Sequence, residues 1–278
     1  MMPEKVDRPA WEGVIDWPVR DRAQKPREQG WTMVIDKGLG LHAIDDLMQM
    51  AAPVVDVVKL TFGTSAFYTH DLLKEKVRTI VAHGVHCMPG GTFQEVAIWQ
   101  HRLEPYLDRA RALGFDAVEV SDGTIELDPR TRADAIAKSV AAGFRVLSEV
   151  GKKDPSDAQP MAVLADLVNA DLDHGAFMVI MEAREAGKGV GIYDASGLPK
   201  EAEIDAFLKG VRDPSRVLWE APLGPQQKYL VLRFGPNVSL GNIPPEDILA
   251  LEALRCGLRG DTLKRAWLAD RDYGAGRG

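Results

Sequence analysis

Four glutamates between residues 119 and 220 each lie at or just after the end of a short apolar run. They are Glu119, Glu149, Glu182 and Glu220. Carboxylates that are crowded together repel one another and raise one another's pKa values unless a cation lies among them. Hard oxygen ligands suit Mg²⁺, which keeps water ligands that substrate oxygens can replace. If the fold brings these residues together, the pattern predicts a magnesium site.

A plainer interpretation is that each glutamate pairs with a neighbouring lysine or arginine. For any one of the four glutamates, this interpretation is as good as a metal ligand. It explains four successive glutamates less well. Surface ion pairs contribute little to stability, and nothing requires them to recur at the end of each apolar run. Both interpretations therefore stay open, and the metal site is favoured.

Basic residues follow the same kind of apolar run. Lys37, Lys59, Lys152 and Arg184 are in this position. A single lysine there would ordinarily be solvated, but several that converge predict an anionic ligand that carries phosphate or carboxylate. The segment Gly187-Lys188-Gly189-Val190-Gly191 follows Arg184 closely, and its glycines allow the backbone to approach an anion.

The elements that must position these residues alternate along the chain. Strands are predicted over 31–35, 54–60, 85–88, 117–120, 145–150, 177–181, 216–220 and 237–243. Helices are predicted over 41–52, 71–84, 93–113, 128–142, 158–174, 200–210, 226–235 and 246–257, with a strand as the alternative for 226–235. Strict alternation of strand and helix predicts an α/β protein with a parallel sheet, either a (β/α)₈ TIM barrel or an open doubly wound sheet.

The count of eight favours the barrel, whose active sites lie at the carboxyl ends of the strands. All of the residues named above are near such ends. A common phosphate site of barrels uses the loops after the last two strands, and here Gly241 and Asn242 follow the eighth strand. We therefore expect them to contribute to anion binding.

The domain organisation follows from length and proline content. Residues 1–30 contain Pro3, Pro9, Pro18 and Pro26 and are predicted to form an N-terminal arm packed on the barrel. Residues 31–278 are predicted to be a single barrel domain, since barrels of about 250 residues fold as one unit.

The composition excludes several classes of protein. The net charge of −7 and pI near 5.5 argue against a nucleic-acid partner. Two cysteines without metal-site spacing predict a reduced, cytoplasmic setting. The charged, proline-broken N-terminus lacks the apolar core of a signal peptide, and no apolar run approaches the ~20 residues that span a bilayer. We expect no membrane association.

Several segments together resemble the phosphosulfolactate synthase family, and the resemblance extends over the chain from residue 25 onward. They are KPREQGWTMVIDKGLG (25–40), VKLTFGTS (58–65), PGGTFQE (89–95), AVEVSDGT (117–124), SEVGKK (148–153), MEAREAGKGVG (181–191), WEAP (219–222), GPNVSLGNI (235–243) and LRCGLRGDT (254–262). The resemblance implies a (β/α)₈ barrel that adds sulfite to phosphoenolpyruvate with Mg²⁺, through an enediolate, to give phosphosulfolactate of R configuration at C2. It also implies a homo-oligomer such as a trimer.

The chemistry implied by the resemblance suggests a role for each candidate residue. The four glutamates would hold Mg²⁺. Lys152, or else Lys37, would be the general acid, and Lys59 would bind sulfite or the substrate carboxylate. Phosphate would be held by the remaining group, which consists of Arg184, Lys188, Gly189, Gly241 and Asn242. Two alternatives stay open: a non-catalytic, stress-related barrel protein and a phosphoenolpyruvate-using enzyme with a different nucleophile.

Overall fold

Eight parallel strands form one sheet in the computed structural model, which describes residues 10–275. They are β1 (Thr32–Asp36), β2 (Val57–Leu60), β3 (His86–Pro89), β4 (Ala117–Val120), β5 (Arg145–Val150), β6 (Met178–Met181), β7 (Val217–Glu220) and β8 (Ser239–Ile243). The spatial order β3-β2-β1-β8-β7-β6-β5-β4 follows the chain around a ring. At the seam between β3 and β4, the Asp116 carboxylate accepts a hydrogen bond from the Cys87 amide at 2.9 Å. The predicted (β/α)₈ barrel is confirmed, and the doubly wound sheet is wrong.

Helices connect the strands on the outside of the barrel. They are α1 (Leu41–Ala51), α2 (His70–Ala82), α3 (Gly91–Trp99), α4 (Leu103–Leu113), α5 (Pro129–Ala141), α6 (Met161–Asp173), α7 (Glu201–Gly210), α8 (Gly224–Phe234), α9 (Ile248–Arg255) and α10 (Gly260–Ala275). The ambiguous segment 226–235 is thus helical. No helix within residues 10–275 is long and apolar enough to cross a membrane.

One predicted helix is wrong in its extent. The segment 93–113 forms two helices, α3 and α4, which are separated by three residues. The break is at His101, whose φ of 54° lies in the left-handed region and cannot continue an α-helix. The first turn of α3 lies at the mouth of the barrel because it follows the carboxyl end of β3 directly.

The interior of the barrel is layered because side chains two apart on a strand face the same side. Its lower layers are apolar, formed by Trp31, Met33, Val57, Met88, Ala117, Leu147, Met178, Ile180 and Leu218. Two residues further towards the carboxyl end of four strands, the same face carries charge at Lys59, Glu119, Glu149 and Glu220. The strand periodicity therefore builds a polar layer on an apolar floor.

The opposite faces of the strands pack against the helices. Val58, Val118 and Val179 belong to this second apolar layer, together with helical residues such as Ile44 and Ile136, and all five are fully buried. Each such side chain stabilises the fold by about 1.5–3 kcal/mol relative to exposure. The rigid double layer holds the strand ends, and with them the polar layer, in place.

The described part of the predicted arm, residues 10–30, contacts the amino-terminal end of the barrel. The Lys25 ammonium donates to the carbonyls of Ala52, Val55 and Gly84, at 3.0, 2.6 and 3.0 Å. The Arg27 guanidinium pairs with Asp56 at 2.7 Å. These contacts close the end of the barrel that lies opposite the polar layer, so the arm does not contribute to that layer.

Candidate active site

A polar cavity of about 380 Å³ opens at the carboxyl ends of the strands. Its walls hold the four glutamates, two lysines (Lys59 and Lys153), Arg184 and Asn242. A somewhat larger cavity of about 460 Å³ lies outside the barrel, where Phe93, Tyr106 and Leu113 give it mostly apolar walls. Convergent titratable groups in a concave site are the better indicator of function. We therefore assign the candidate active site to the polar cavity.

Lys59 of β2 lies at the floor of the cavity and is 4% exposed. Its ammonium is 2.9 Å from Glu119, 3.2 Å from Glu220 and 3.6 Å from Glu149. Burial opposes the charge on Lys59, but the three carboxylates outweigh it and raise its pKa. Lys59 is therefore a fixed positive charge at the centre of the cluster.

Lys153 follows β5 and reaches the cavity from its wall. Its ammonium is 2.7 Å from Glu149 and 2.9 Å from Glu182. Burial disfavours the charged form, but Glu149 and Glu182 outweigh it and raise the pKa of Lys153. The Lys153 side chain is 28% exposed, whereas the Lys59 side chain is 5% exposed. A small molecule in the cavity can therefore contact Lys153 directly.

The glutamates differ in their protonation because their surroundings differ. Burial raises the pKa of Glu119 to about 7, with Glu149 adding to the rise and Lys59 opposing it. For Glu149, burial also opposes ionisation, but Lys153 and Lys59 outweigh burial and lower its pKa. For Glu182, burial and the carboxylates of Glu149 and Glu220 raise the pKa well above its usual value. The cluster thus has more carboxylate than its two lysines neutralise.

Three of the glutamates fit a metal ion. Glu149, Glu182 and Glu220 each offer an oxygen, and these oxygens lie within 4.8 Å of one another. Among the described residues, no donor makes a well-directed hydrogen bond to Glu182 Oε2, although the Lys153 ammonium is 2.9 Å away. When all four carboxyls are ionised, their negative charge exceeds the positive charge of the two ammonium groups, and a divalent cation balances the difference. Hard carboxylate ligands and this charge suit Mg²⁺.

In the metal-free protein, we expect the stability to depend on pH through Glu119. Its pKa of about 7 in the folded state exceeds the value of about 4.3 for an unfolded chain. The folded state therefore binds the proton more tightly, and its free energy of unfolding falls as the pH rises through this window. Urea unfolding in the presence of a chelator would show this fall, and Glu119→Gln should remove part of it.

Glu75→Gln provides the control, because Glu75 lies on the exposed face of α2 and outside the polar layer. Parallel curves for the wild type and Glu119→Gln would contradict the assigned protonation of Glu119.

The first turn of α3 contacts the cluster through its backbone. The Gly91 amide donates to Glu119 Oε1 at 2.8 Å. A Cβ atom at Gly91 would collide with that oxygen and lie only 2.9 Å from Ser121 Oγ. Glycine is thus required here for close approach of the backbone to a buried carboxylate.

Gly91→Ala should destabilise the protein by about 1–3 kcal/mol, the usual cost of overpacking, and should displace Glu119. Urea unfolding measures the first effect. Gly224→Ala is a matched control, since Gly224 is the first residue of α8 and its Cβ would meet no atom within 4 Å. Equal stability of the two variants would show that Gly91 has room for a side chain.

The structure brings seven of the twelve candidate residues to one cavity. They are Lys59, Glu119, Glu149, Glu182, Glu220, Arg184 and Asn242. The plainer interpretation of the glutamates also holds in part, because Lys59 and Lys153 pair with all four. The two interpretations describe the same cluster, since buried ion pairs and a metal use the same oxygens.

The other five candidates lie elsewhere. Lys37 lines a neighbouring cleft, which shares Asn242 with the cavity. Lys152 and Gly189 line a third cleft on the outer side of the loops that follow β5 and β6. Lys188 is exposed in the second of these loops. Gly241 is buried in the barrel wall, where a Cβ would collide with Leu218. Glycine is therefore needed there for close packing of the wall.

Nine residues that line the cavity are not among the twelve candidate residues. They are Ile35, Thr61, Phe62, Gly90, Gly91, Thr92, Thr124, Lys153 and Glu185. Lys153 had a signal in the sequence, because counting by two from the inward-facing Glu149 reaches residue 153 and not 152. The glycine pair 90–91, which follows the third strand, was a second signal. Phe62 had none, since an aromatic residue gives no indication of the positive φ of 57° that it adopts.

Comparison with known proteins gives consistent results. A family model described as (2R)-phospho-3-sulfolactate synthase matches residues 20–261. A phosphosulfolactate synthase from Methanothermobacter thermautotrophicus is 45% identical over 251 residues, which are 90% of this chain and 97% of the relative. One from Methanocaldococcus jannaschii is 41% identical over 237 residues, covering 84% and 94% of the two chains.

A solved structure supports the fold alone. The 3-hexulose-6-phosphate synthase from Salmonella typhimurium superposes with a TM-score of 0.53 at 16% identity. The match covers 84% of this chain and 99% of that one.

Proposed function

The chain belongs to the phosphosulfolactate synthase family, and we propose that it catalyses the Mg²⁺-dependent addition of sulfite to phosphoenolpyruvate. The product is (2R)-phospho-3-sulfolactate. The chief support from the structure is the cavity in which four buried glutamates surround Lys59 and Lys153 at the carboxyl ends of the strands. A cavity of about 380 Å³ suits two small anions better than a large substrate.

The reaction forms one carbon–sulfur bond. The sulfur lone pair of sulfite attacks C3 of phosphoenolpyruvate, and the π bond between C2 and C3 breaks. Its electron pair moves to C2 and is delocalised into the carboxylate as an enediolate. A proton added to C2 completes the product, while the phosphate stays on its oxygen at C2. The enzyme must therefore stabilise negative charge on the carboxylate and deliver a proton to one face of C2.

Glu149, Glu182 and Glu220 would hold the Mg²⁺ ion. When bound, the ion supplies positive charge next to the substrate carboxylate, where negative charge develops. Lys59 adds a second fixed charge from the floor of the cavity. Its three carboxylate partners hold it in place, so it needs no reorganisation during the reaction.

Lys153 is the general acid that the geometry favours. In the metal-free protein, its carboxylate partners raise the pKa of Lys153, and its side chain is accessible from the cavity. Lys152, the first choice from the sequence, instead donates to the backbone carbonyl of Asp122 at 2.6 Å on the outer side of the barrel. We therefore propose that Lys153 protonates C2.

The phosphate group would bind near the mouth of the cavity. Arg184 supplies a guanidinium there, and Gly91 and Thr92 begin a helix whose N-terminus points at the cavity. Helix N-termini favour anions through their free amides and dipole. Asn242, which joins the cavity to the cleft of Lys37, can contribute an amide group.

Incubation of the protein with phosphoenolpyruvate, sulfite and Mg²⁺, followed by mass spectrometry, tests the proposed function. We expect phosphosulfolactate, and none when sulfite or Mg²⁺ is omitted. Product with another nucleophile but not with sulfite would favour a different phosphoenolpyruvate-using enzyme. No product with any nucleophile would favour a non-catalytic barrel.

We also propose that the chain forms a homo-oligomer. Its exposed apolar side chains include Phe67, which is 86% exposed, and Trp99, which is 69% exposed. Apolar side chains of this size are common in subunit interfaces. Light scattering would measure the molar mass, and a monomer at micromolar concentration would contradict the assembly.

A further inference from the structure

A second group of charged residues lies directly behind the wall that carries Lys153. The Lys152 ammonium donates to the Asp122 carbonyl at 2.6 Å, to the Asp122 carboxylate at 3.0 Å and to the Ile125 carbonyl at 3.3 Å. All three partners belong to the loop that follows β4. With three directed bonds, Lys152 ties the loop after β5 to the loop after β4.

Arg132 of α5 extends this group into the protein interior. Arg132 is 3% exposed, and its guanidinium donates two hydrogen bonds of 2.8 and 2.5 Å to Asp171. It also donates to the Asp122 carboxylate at 2.9 Å and to the backbone carbonyl of Glu149 at 2.8 Å. The buried Arg132 side chain thus holds both Asp122, which is the anchor of Lys152, and the backbone of Glu149, which is a proposed metal ligand.

The charges of these residues alternate in sign. Asp171, Arg132, Asp122 and Lys152 form a row in which every charge has an opposite neighbour. Removal of Lys152 alone leaves Asp122 to share Arg132 with Asp171, and a partly buried carboxylate without its partner is costly. The positions of the four side chains in the row therefore depend on one another.

The contacts between Lys152 and Asp122 determine where the Lys153 side chain points. The Lys153 amide donates to the Gly123 carbonyl at 2.9 Å, so the two loops are also joined through the backbone. Lys152 faces the third cleft, outside the barrel, and Lys153 faces the cavity. Because Lys152 is fixed on the outer side of the barrel, the Lys153 side chain is directed at Glu149 and Glu182.

We propose that Lys152 is a positioning residue, which acts through Asp122 and Arg132 to hold the Lys153 ammonium in the cavity. This role rests on the proposed function, in which Lys153 is the proton donor. It differs from a direct role in proton transfer, because the Lys152 ammonium is on the far side of its own backbone from the cavity. Small displacements of a reacting group are sufficient to lower turnover.

Steady-state kinetics of Lys152→Met and Lys152→Arg separate the two roles. In the positioning role, Lys152→Met lowers kcat by about 10- to 100-fold with little change in KM for phosphoenolpyruvate. Lys152→Arg keeps most of the wild-type kcat, because a guanidinium can donate to the same three oxygens but is a poor proton donor. Equal loss in both variants, or wild-type kcat in Lys152→Met, would overturn the positioning role.

Asp122→Asn tests the same anchor from its other side, with both lysines intact, and covers the case in which Lys152→Met does not fold. It should lower kcat in the same way as Lys152→Met. A wild-type kcat in Asp122→Asn would overturn the role of the anchor.

Hydrogen exchange of the metal-bound protein gives a readout that does not depend on turnover. Lys152→Met should lose protection of the Lys153 amide, whereas Lys152→Arg should keep it. Retained protection in Lys152→Met would overturn the positioning role even in an active enzyme. If the wild-type protein shows no turnover but the two variants show the expected exchange of the Lys153 amide, the proposed function fails and the positioning role does not.

Discussion

Lys153→Met is expected to lower kcat by about 10²- to 10⁴-fold, which is the usual contribution of a general acid. The thioether side chain fills a similar volume but carries no proton. The ammonium of Lys153 lies 2.7 Å from Glu149 and 2.9 Å from Glu182, so its loss also removes a positive charge beside two proposed metal ligands. We therefore expect Mg²⁺ to bind to the variant at least as tightly as to the wild type.

Two measurements separate the loss of the acid from damage to the metal site. Rapid-quench kinetics with phosphoenolpyruvate, sulfite and Mg²⁺ gives the turnover, and calorimetry gives the Mg²⁺ affinity. Lys188→Met is the control, because Lys188 is exposed outside the cavity, and its kcat should equal that of the wild type. A Lys153→Met enzyme with wild-type kcat would exclude Lys153 as the acid.

Glu182→Gln should nearly abolish Mg²⁺ binding while leaving the fold intact. Changes to groups that merely support a metal ligand lower affinity by about 10- to 100-fold, and removal of a ligand should cost at least as much. Burial and the neighbouring carboxylates favour the protonated form of Glu182 in the absence of metal. Glutamine resembles that neutral form, so the metal-free variant should unfold at the same urea concentration as the wild type.

Glu149→Gln is the informative comparison. Burial disfavours a charge at Glu149, but Lys153 and Lys59 outweigh burial and keep this carboxyl ionised. Removing its charge leaves two buried ammonium groups with fewer partners, which destabilises the folded state. We expect Glu149→Gln to lose both Mg²⁺ affinity and stability. Equal stability of the two variants would show that the two carboxyls do not differ in protonation.

The fold could be predicted from the sequence because its signal is repeated. Each strand is a short apolar run followed by polar residues, and one ambiguous segment, 226–235, did not change the count. The break between α3 and α4 was missed although Pro105 marks it. A proline inside a helical pattern is tolerated only in the first turn of a helix, and Pro105 lies in the first turn of α4. The final helix, α10, was also missed.

The four glutamates could be placed together because each ends a strand of the same barrel. Beyond the last hydrogen-bonded residue of a strand, the choice between neighbouring side chains is less certain. Gly151, with φ of 114°, follows β5 directly, so counting by two from Glu149 identifies Lys153 as the inward lysine only if the loop keeps the alternation of the strand. Lys188 and Gly189 were misplaced for the same reason, because their loop leaves the barrel after Arg184.

The residues that hold the loops had no recognisable pattern in the sequence. Arg132 is 39 residues from Asp171 and 10 from Asp122, and its contact with the Glu149 carbonyl depends on how α5 packs against β5. Such long-range contacts become visible only when the fold is known.

A crystal structure with Mg²⁺ and phosphoenolpyruvate bound tests the central claim most directly. The account predicts the metal among the oxygens of Glu149, Glu182 and Glu220, and the substrate in the polar cavity with C2 facing the Lys153 ammonium. Phosphoenolpyruvate bound in another cavity, or Mg²⁺ bound without these three carboxylates, would contradict it.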